Sequence, residues 1–153
     1  MEKLTSLGGS GVGDSVRQRL EKLSPGRGAL RGKMSAHGMV CHLSDSFRLA
    51  LGLKTASHAT GLLQRSLMKY FALYVPLPWP KGVGTRPEME QGKGGTVPGE
   101  FAADIAELMR LMRQFTERTE FVAAHPIFGT MTRAQWLRWG YLHMDHHLRQ
   151  FGV

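Results

Sequence analysis

The chain has 153 residues, 42% of them apolar, enough for a single domain with one core. Its 20 Lys and Arg outweigh 12 Asp and Glu for a formal charge of +8, while the single Cys, Cys41, excludes an intramolecular disulfide framework and a Cys-built zinc ribbon. No apolar run reaches the roughly 18–20 residues of a membrane span, and the stretch Met1 to Ser10 lacks the apolar region of a secretory signal, so a cytoplasmic protein is expected.

The positive charge invites a nucleic-acid reading, which its distribution weakens. Residues 1–33 and 34–97 each carry seven basic and three acidic side chains, whereas residues 98–153 carry six of each. No run of five like charges occurs, and no basic face is interleaved with aromatics. The excess is read as a solvated surface, and nucleic acid is not an expected partner.

In chain order, residues 1–13 read as a flexible head, and residues 14–153 as one domain. Asp14 can cap a short helix ending near Leu23, which Ser24-Pro-Gly-Arg-Gly breaks. Ser35 caps a second helix whose stripe is Ala36, Met39, Leu43, Phe47 and Ala50, with Gly52 as the stop. A third is predicted over Ser57–Val75, with Leu63, Leu67, Tyr70 and Tyr74 on one side. Pro76-Leu-Pro-Trp-Pro-Lys-Gly then opens a long connection to about Val97. Pro98 suits the first turn of a fourth helix with the stripe Phe101, Ile105, Leu108, Met112 and Phe115. Ala124-His-Pro-Ile-Phe-Gly reads as a structured turn, and Thr132-Arg-Ala-Gln135 as the capping box of a last helix running to Phe151. No segment alternates with period two. The fold class is therefore all-α, a helix bundle with an additional short N-terminal helix.

Leu137, Tyr141, Met144, Leu148 and Phe151 form the apolar stripe of the last helix, with Arg138, Asp145 and Arg149 opposite and Asp145–Arg149 as a water-facing pair. His143 and His147 lie about 40° apart beside that stripe. Such an i,i+4 pair can chelate one divalent ion. His42 holds a similar edge position on the second helix, so three imidazoles converge if the two helices face each other. Spacing alone does not choose between His146 and His147 as the partner of His143, and a histidine at a core edge can equally be a simple hydrogen-bonding residue.

The run Gly32-Lys-Met-Ser-Ala-His-Gly-Met-Val-Cys-His42-Leu-Ser-Asp45 resembles the second-helix motif of DinB-like proteins. His125-Pro-Ile-Phe-Gly, Trp136 and Tyr141-Leu-His-Met-Asp-His-His-Leu-Arg-Gln-Phe-Gly152, with the Pro78-Trp-Pro-Lys-Gly loop, are similar to an uncharacterised branch of that superfamily. The resemblance runs from about Asp14 onward. It implies a DinB-like four-helix bundle holding a divalent metal on His42, His143 and His147. Two positions depart from the pattern: Arg31 stands where an aromatic is expected, and His37 where a polar amide is expected.

The characterised relatives imply a metal-dependent transfer of a low-molecular-weight thiol (bacillithiol, mycothiol or glutathione) to an electrophilic small molecule, in a possible homodimer. Zinc, nickel, copper and iron all suit imidazole ligands. A metal-dependent hydrolase and a non-enzymatic metal or small-molecule binder are the alternatives. His37 and Cys41, one turn apart, could line the pocket, with Cys41 read as an ordinary buried thiol. His125 and Trp79 are read as a turn packing on the bundle end or as pocket wall, and His58 and His146 as solvent-facing or partly exposed, with no assigned role.

Overall fold

The Ser35 hydroxyl oxygen accepts a hydrogen bond from the Gly38 N–H at 2.9 Å, pairing one of the N–H groups that a first helical turn leaves open. The helix it starts is the second of five in the computed structural model, which describes residues 4–59, 61–79 and 85–153, and of residues 62–64 the backbone alone. These are α1 (Val12–Leu20), α2 (Ala36–Ala50), α3 (Leu62–Tyr74), α4 (Phe101–Glu117) and α5 (Arg133–Gln150), with a 3-10 turn at Pro87–Met89. The only bridge-type pairing among the described residues joins His125 and Gly129, so the chain is all-helical, as expected. No helix is long and apolar enough to cross a membrane among the described residues.

α2 lies at the centre, packed against α4, α5 and the 3-10 turn, while α1 and α3 pack on α5. The predicted stripe of Ala36, Met39, Leu43, Phe47 and Ala50 is buried. So are the polar residues between them: His42, Ser44, Asp45 and Ser46. The two serine hydroxyls donate back to the carbonyls of Val40 and His42, which satisfies them inside the helix.

Asp45 needs partners from elsewhere, because a buried carboxylate without them is costly. Its oxygens accept from the Thr96 N–H at 2.7 Å and the Thr96 hydroxyl at 2.6 Å, and Arg48 and Lys54 approach at 3.1 and 3.3 Å. Arg48 also reaches Glu107 of α4 at 3.1 Å. The end of the long connection is thus pinned to α2, and α2 to α4, by one polar cluster. Burial pushes the Asp45 carboxyl up, but the Thr96 hydrogen bonds and the Lys54 charge outweigh it and hold the group below its ordinary range.

Several boundaries differ from expectation. α1 begins at Val12, so Asp14 lies in its first turn rather than at its cap. In the head, Leu7 is buried and its N–H donates to the Leu137 carbonyl; residues 1–3 lie outside the described residues. α3 starts at Leu62 rather than Ser57, because the polar groups ahead of it are engaged elsewhere: Ser57 with Glu88 and Arg86, and the Ala59 N–H with Pro126. Of its predicted stripe Leu67, Tyr70 and Tyr74 are exposed, and it is Leu73, outside that stripe, that is fully buried; the Leu63 side chain lies outside the described residues, as do Pro80, Lys81 and Gly82 of the loop. α4 begins after Pro98, with Glu100 as its cap accepting from the N–H groups of Ala102 and Ala103.

The end of the chain matches the pattern closely. Thr132 and Gln135 form the capping box of α5. Gly140 lets the Phe115 ring and Leu7 come against α5, since a Cβ there would stand 2.7 Å from the ring and 2.9 Å from Leu7. Asp145 differs from the expected water-facing residue: besides Arg149 it pairs with Arg19 of α1 at 2.8 Å.

Asp45→Asn keeps the shape of the side chain but removes its charge and turns an NH2 toward donors on one side. It is expected to cost about 2–4 kcal/mol in denaturant unfolding at pH 7. The stability from a depressed carboxyl is present above its unfolded value and lost as pH falls through the folded one. The gap between wild type and variant should therefore narrow on strong acidification; a constant gap would contradict the ionised cluster.

Candidate metal centre

α2 and α5 each present histidines toward the same point. The His42 Nε2 lies 3.3 Å from the His143 Nε2, which lies 3.1 Å from the His147 Nε2. These three could hold one metal ion, each offering a ligand atom within a sphere of close mutual approach. His146 is not one of them, so the fold decides what spacing left open.

The second nitrogen of two of the rings is already committed. The His42 Nδ1 faces the Met89 carbonyl at 3.4 Å, and the His147 Nδ1 faces the Gln150 Oε1 at 2.9 Å. Both partners only accept, so each Nδ1 carries the hydrogen and each neutral ring leaves its Nε2 as a bare lone pair. The His143 Nε2 can donate to one of these neighbours but not to both. At least one of the two neighbouring lone pairs therefore has no hydrogen to accept from His143, a need that a shared cation meets.

A proton is a poor choice for that cation. Burial holds His143 well below the ordinary histidine value of 6.5, with the charges of His147 and His42 adding to it. Burial also lowers His42, and takes His147 to about 3 with His42 contributing. Neutral imidazoles are the form that binds a divalent metal. For metal–nitrogen distances near 2.0–2.1 Å, tetrahedral ligation sets nitrogens about 3.3–3.4 Å apart. The observed 3.3 and 3.1 Å separations lie close to that.

The cluster opens on a cavity of about 710 Å3, within the size range of small-molecule sites. Its apolar wall includes Leu67 and Phe71 of α3 and Val75 just after it, which explains why that helix has a face not buried in the core. The Trp79 indole N–H donates to the Ala72 carbonyl at 2.9 Å, and its ring lies nearly parallel to His143 at 6.1 Å. Trp139 lies nearly parallel to His143 at 5.0 Å. Arg31, Lys33 and Arg86 are the cationic lining residues, and no carboxylate lines the cavity among the described residues.

His146 is partly exposed, within the expectation. It lines the cavity and its Nε2 takes a hydrogen bond from the Gln150 amide at 3.4 Å. Gln150 therefore serves two histidines at once, accepting from one and donating to the other. Its positions at i+3 from His147 and i+4 from His146 are the sequence signal for this role. His58 is exposed.

The His125–Gly129 turn is both a turn and a piece of cavity wall. The His125 Nδ1 accepts from the N–H groups of Ile127 and Phe128 at 3.1 and 3.2 Å, which places the ring hydrogen on Nε2. His37 and Cys41 do not line this cavity. Their partner is Asp104 of α4, at 2.7 Å from His37 and 3.7 Å from the thiol. Burial, then the Asp104 charge, pushes the Cys41 thiol up to about 11, so it is not a ready nucleophile.

Burial pushes His125 down to about 3 from 6.5. Below 6.5 the unfolded chain takes up a proton that the folded ring refuses. Stability in the presence of chelator is therefore expected to fall as pH drops from 6.5 toward about 3. His125→Asn, whose side-chain oxygen can accept the same two N–H groups, should flatten that slope by about one proton in urea unfolding. An unchanged slope would show that His125 is charged in the native state.

No curated protein and no solved structure matches the chain. The family described as Protein of unknown function (DUF1569) matches residues 11–152, nearly all of the sequence and all of the elements that build the three-histidine cluster, and the chain belongs to that family.

Proposed function

We propose that this chain is a metal-dependent enzyme of the DinB-like type, which binds a divalent ion on His42, His143 and His147 and transfers a low-molecular-weight thiol to an electrophilic small molecule. The observation that carries the reading is the trio of facing Nε2 atoms in the wall of an apolar cavity. Three protein nitrogens leave a coordination position for an exogenous ligand. A divalent cation there lowers the pKa of a coordinated thiol and so supplies a nucleophile at neutral pH.

The chain's own residues account for the remaining requirements. Met89 and Gln150 fix the orientation of His42 and His147. Trp79 and Trp139 flank His143 and, with the α3 side chains, exclude water from the apolar part of a substrate. Arg31 and Lys33 have no carboxylate partner among the described residues and suit the anionic groups of a thiol cofactor. The only Cys is buried on another face of α2, which favours a thiol supplied from outside the chain. Hydrolysis would call for a general base, and the described lining residues offer no carboxylate for it.

Elemental analysis of the purified protein is expected to find a divalent transition metal, and His143→Ala to hold one equivalent less while keeping its helix content by circular dichroism. Full metal retention in His143→Ala would overturn the site. Gln150→Ala should weaken metal affinity by about 10–100-fold by freeing the His147 ring. Metal-loaded protein should turn over with at least one of bacillithiol, mycothiol and glutathione against alkyl and epoxide electrophiles. Metal bound without turnover across the panel would leave a binding protein and refute the transferase.

A further inference from the structure

The first two turns of α2 and the first turn of α4 meet at a second group of ligand-type side chains. His37 and Cys41 stand one turn apart on α2, and Asp104 faces them from α4. Their ligand atoms lie within 4.8 Å of one another. None of the three lines the cavity described above. We propose that His37, Cys41 and Asp104 form a second metal site, for a zinc-class divalent ion, that ties α2 to α4.

The donor set selects the ion. One imidazole nitrogen, one sulfur and one carboxylate oxygen suit zinc and its transition-metal neighbours, whereas magnesium and calcium take oxygen ligands. The spacing fits with little movement. Tetrahedral zinc with sulfur near 2.3 Å and oxygen near 2.0–2.2 Å sets those two atoms about 3.6 Å apart. The Cys41 Sγ and the Asp104 Oδ2 are 3.7 Å apart. The His37 Nε2 lies 2.7 Å from the same oxygen and would retreat by about 0.7 Å to reach the tetrahedral edge of about 3.4 Å.

The surroundings hold the ligands while leaving an approach. The Gly99 N–H donates to the Asp104 Oδ2 at 2.9 Å, fixing the carboxylate, and the Phe101 ring packs edge-on against His37 at 5.2 Å. The side chains of His37 and Asp104 remain 18% and 25% exposed, so water can supply the fourth ligand. On binding, the thiol proton goes to solvent, the ring hydrogen between His37 and Asp104 moves to Nδ1, and no oxidation state changes. The arrangement is not a nucleophilic triad, because the carboxylate, not the imidazole, faces the thiol.

Cobalt titration of the metal-stripped full chain tests this, because only the second site contains sulfur. Wild type is expected to take two equivalents and to develop a near-ultraviolet thiolate-to-cobalt band. The His143→Ala/His147→Ala double variant should keep the band and lose one equivalent. Cys41→Ser, Asp104→Asn and His37→Ala should each lose the band or weaken its half-saturation at least tenfold while keeping the other equivalent. The two partly exposed positions serve if Cys41→Ser fails to fold. No thiolate band in wild type, or a band that Asp104→Asn and His37→Ala leave unchanged, would overturn the second site without touching the first.

Discussion

The Asp45 carboxylate stands one turn beyond His42 on α2, and its two oxygens are taken by Thr96 and by the Arg48 and Lys54 charges. That cluster fixes the end of the connection between α3 and α4. The same connection carries the 3-10 turn, whose Met89 carbonyl holds the His42 ring. A buried charge is costly to install and costlier to leave unpaired, so the segment cannot lift from α2 without exposing or orphaning Asp45. Ring orientation at the histidine cluster thus depends on an ion cluster that touches none of the three rings.

The histidines themselves pose the opposite electrostatic problem. Burial keeps them neutral, and anchoring two Nδ1 atoms leaves electron-rich nitrogens facing each other. Such crowding is unfavourable without a positive partner. The polar interior of α2 is therefore divided: an anion on one side satisfied by protein cations, and a set of neutral donors on the other for which the protein supplies no cation. On a third face lies the His37–Cys41–Asp104 group, satisfied internally by hydrogen bonds.

Much of this was legible in the residues. Ser35 and the Thr132–Gln135 box mark the starts of the helices that carry the histidines, because caps act through local geometry. The stripes of α2 and α5 follow from periodicity, and so did the trio, apart from the choice between His146 and His147. That choice depends on how α5 is rotated against α2, which no single helix encodes. α3 read less well: its exposed Leu67, Met68 and Phe71 line a cavity, and an apolar residue beside a cavity has the same pattern as one in a core. Asp104 and Thr96 were illegible as partners because each pairs with α2 across more than fifty residues of chain.

Trp79 stands out among the three indoles. It lies partly buried at the cavity beside His143, fixed by one hydrogen bond to α3, whereas Trp136 is wholly enclosed in the core. Indole emission follows local polarity and is quenched by nearby transition ions and electron-rich groups. The chain therefore contains two kinds of optical reporter. The enclosed Trp136 ring registers whether the protein is folded, and Trp79 and Trp139 beside His143 register what is in the cavity, so occupancy can be followed on the unlabelled protein.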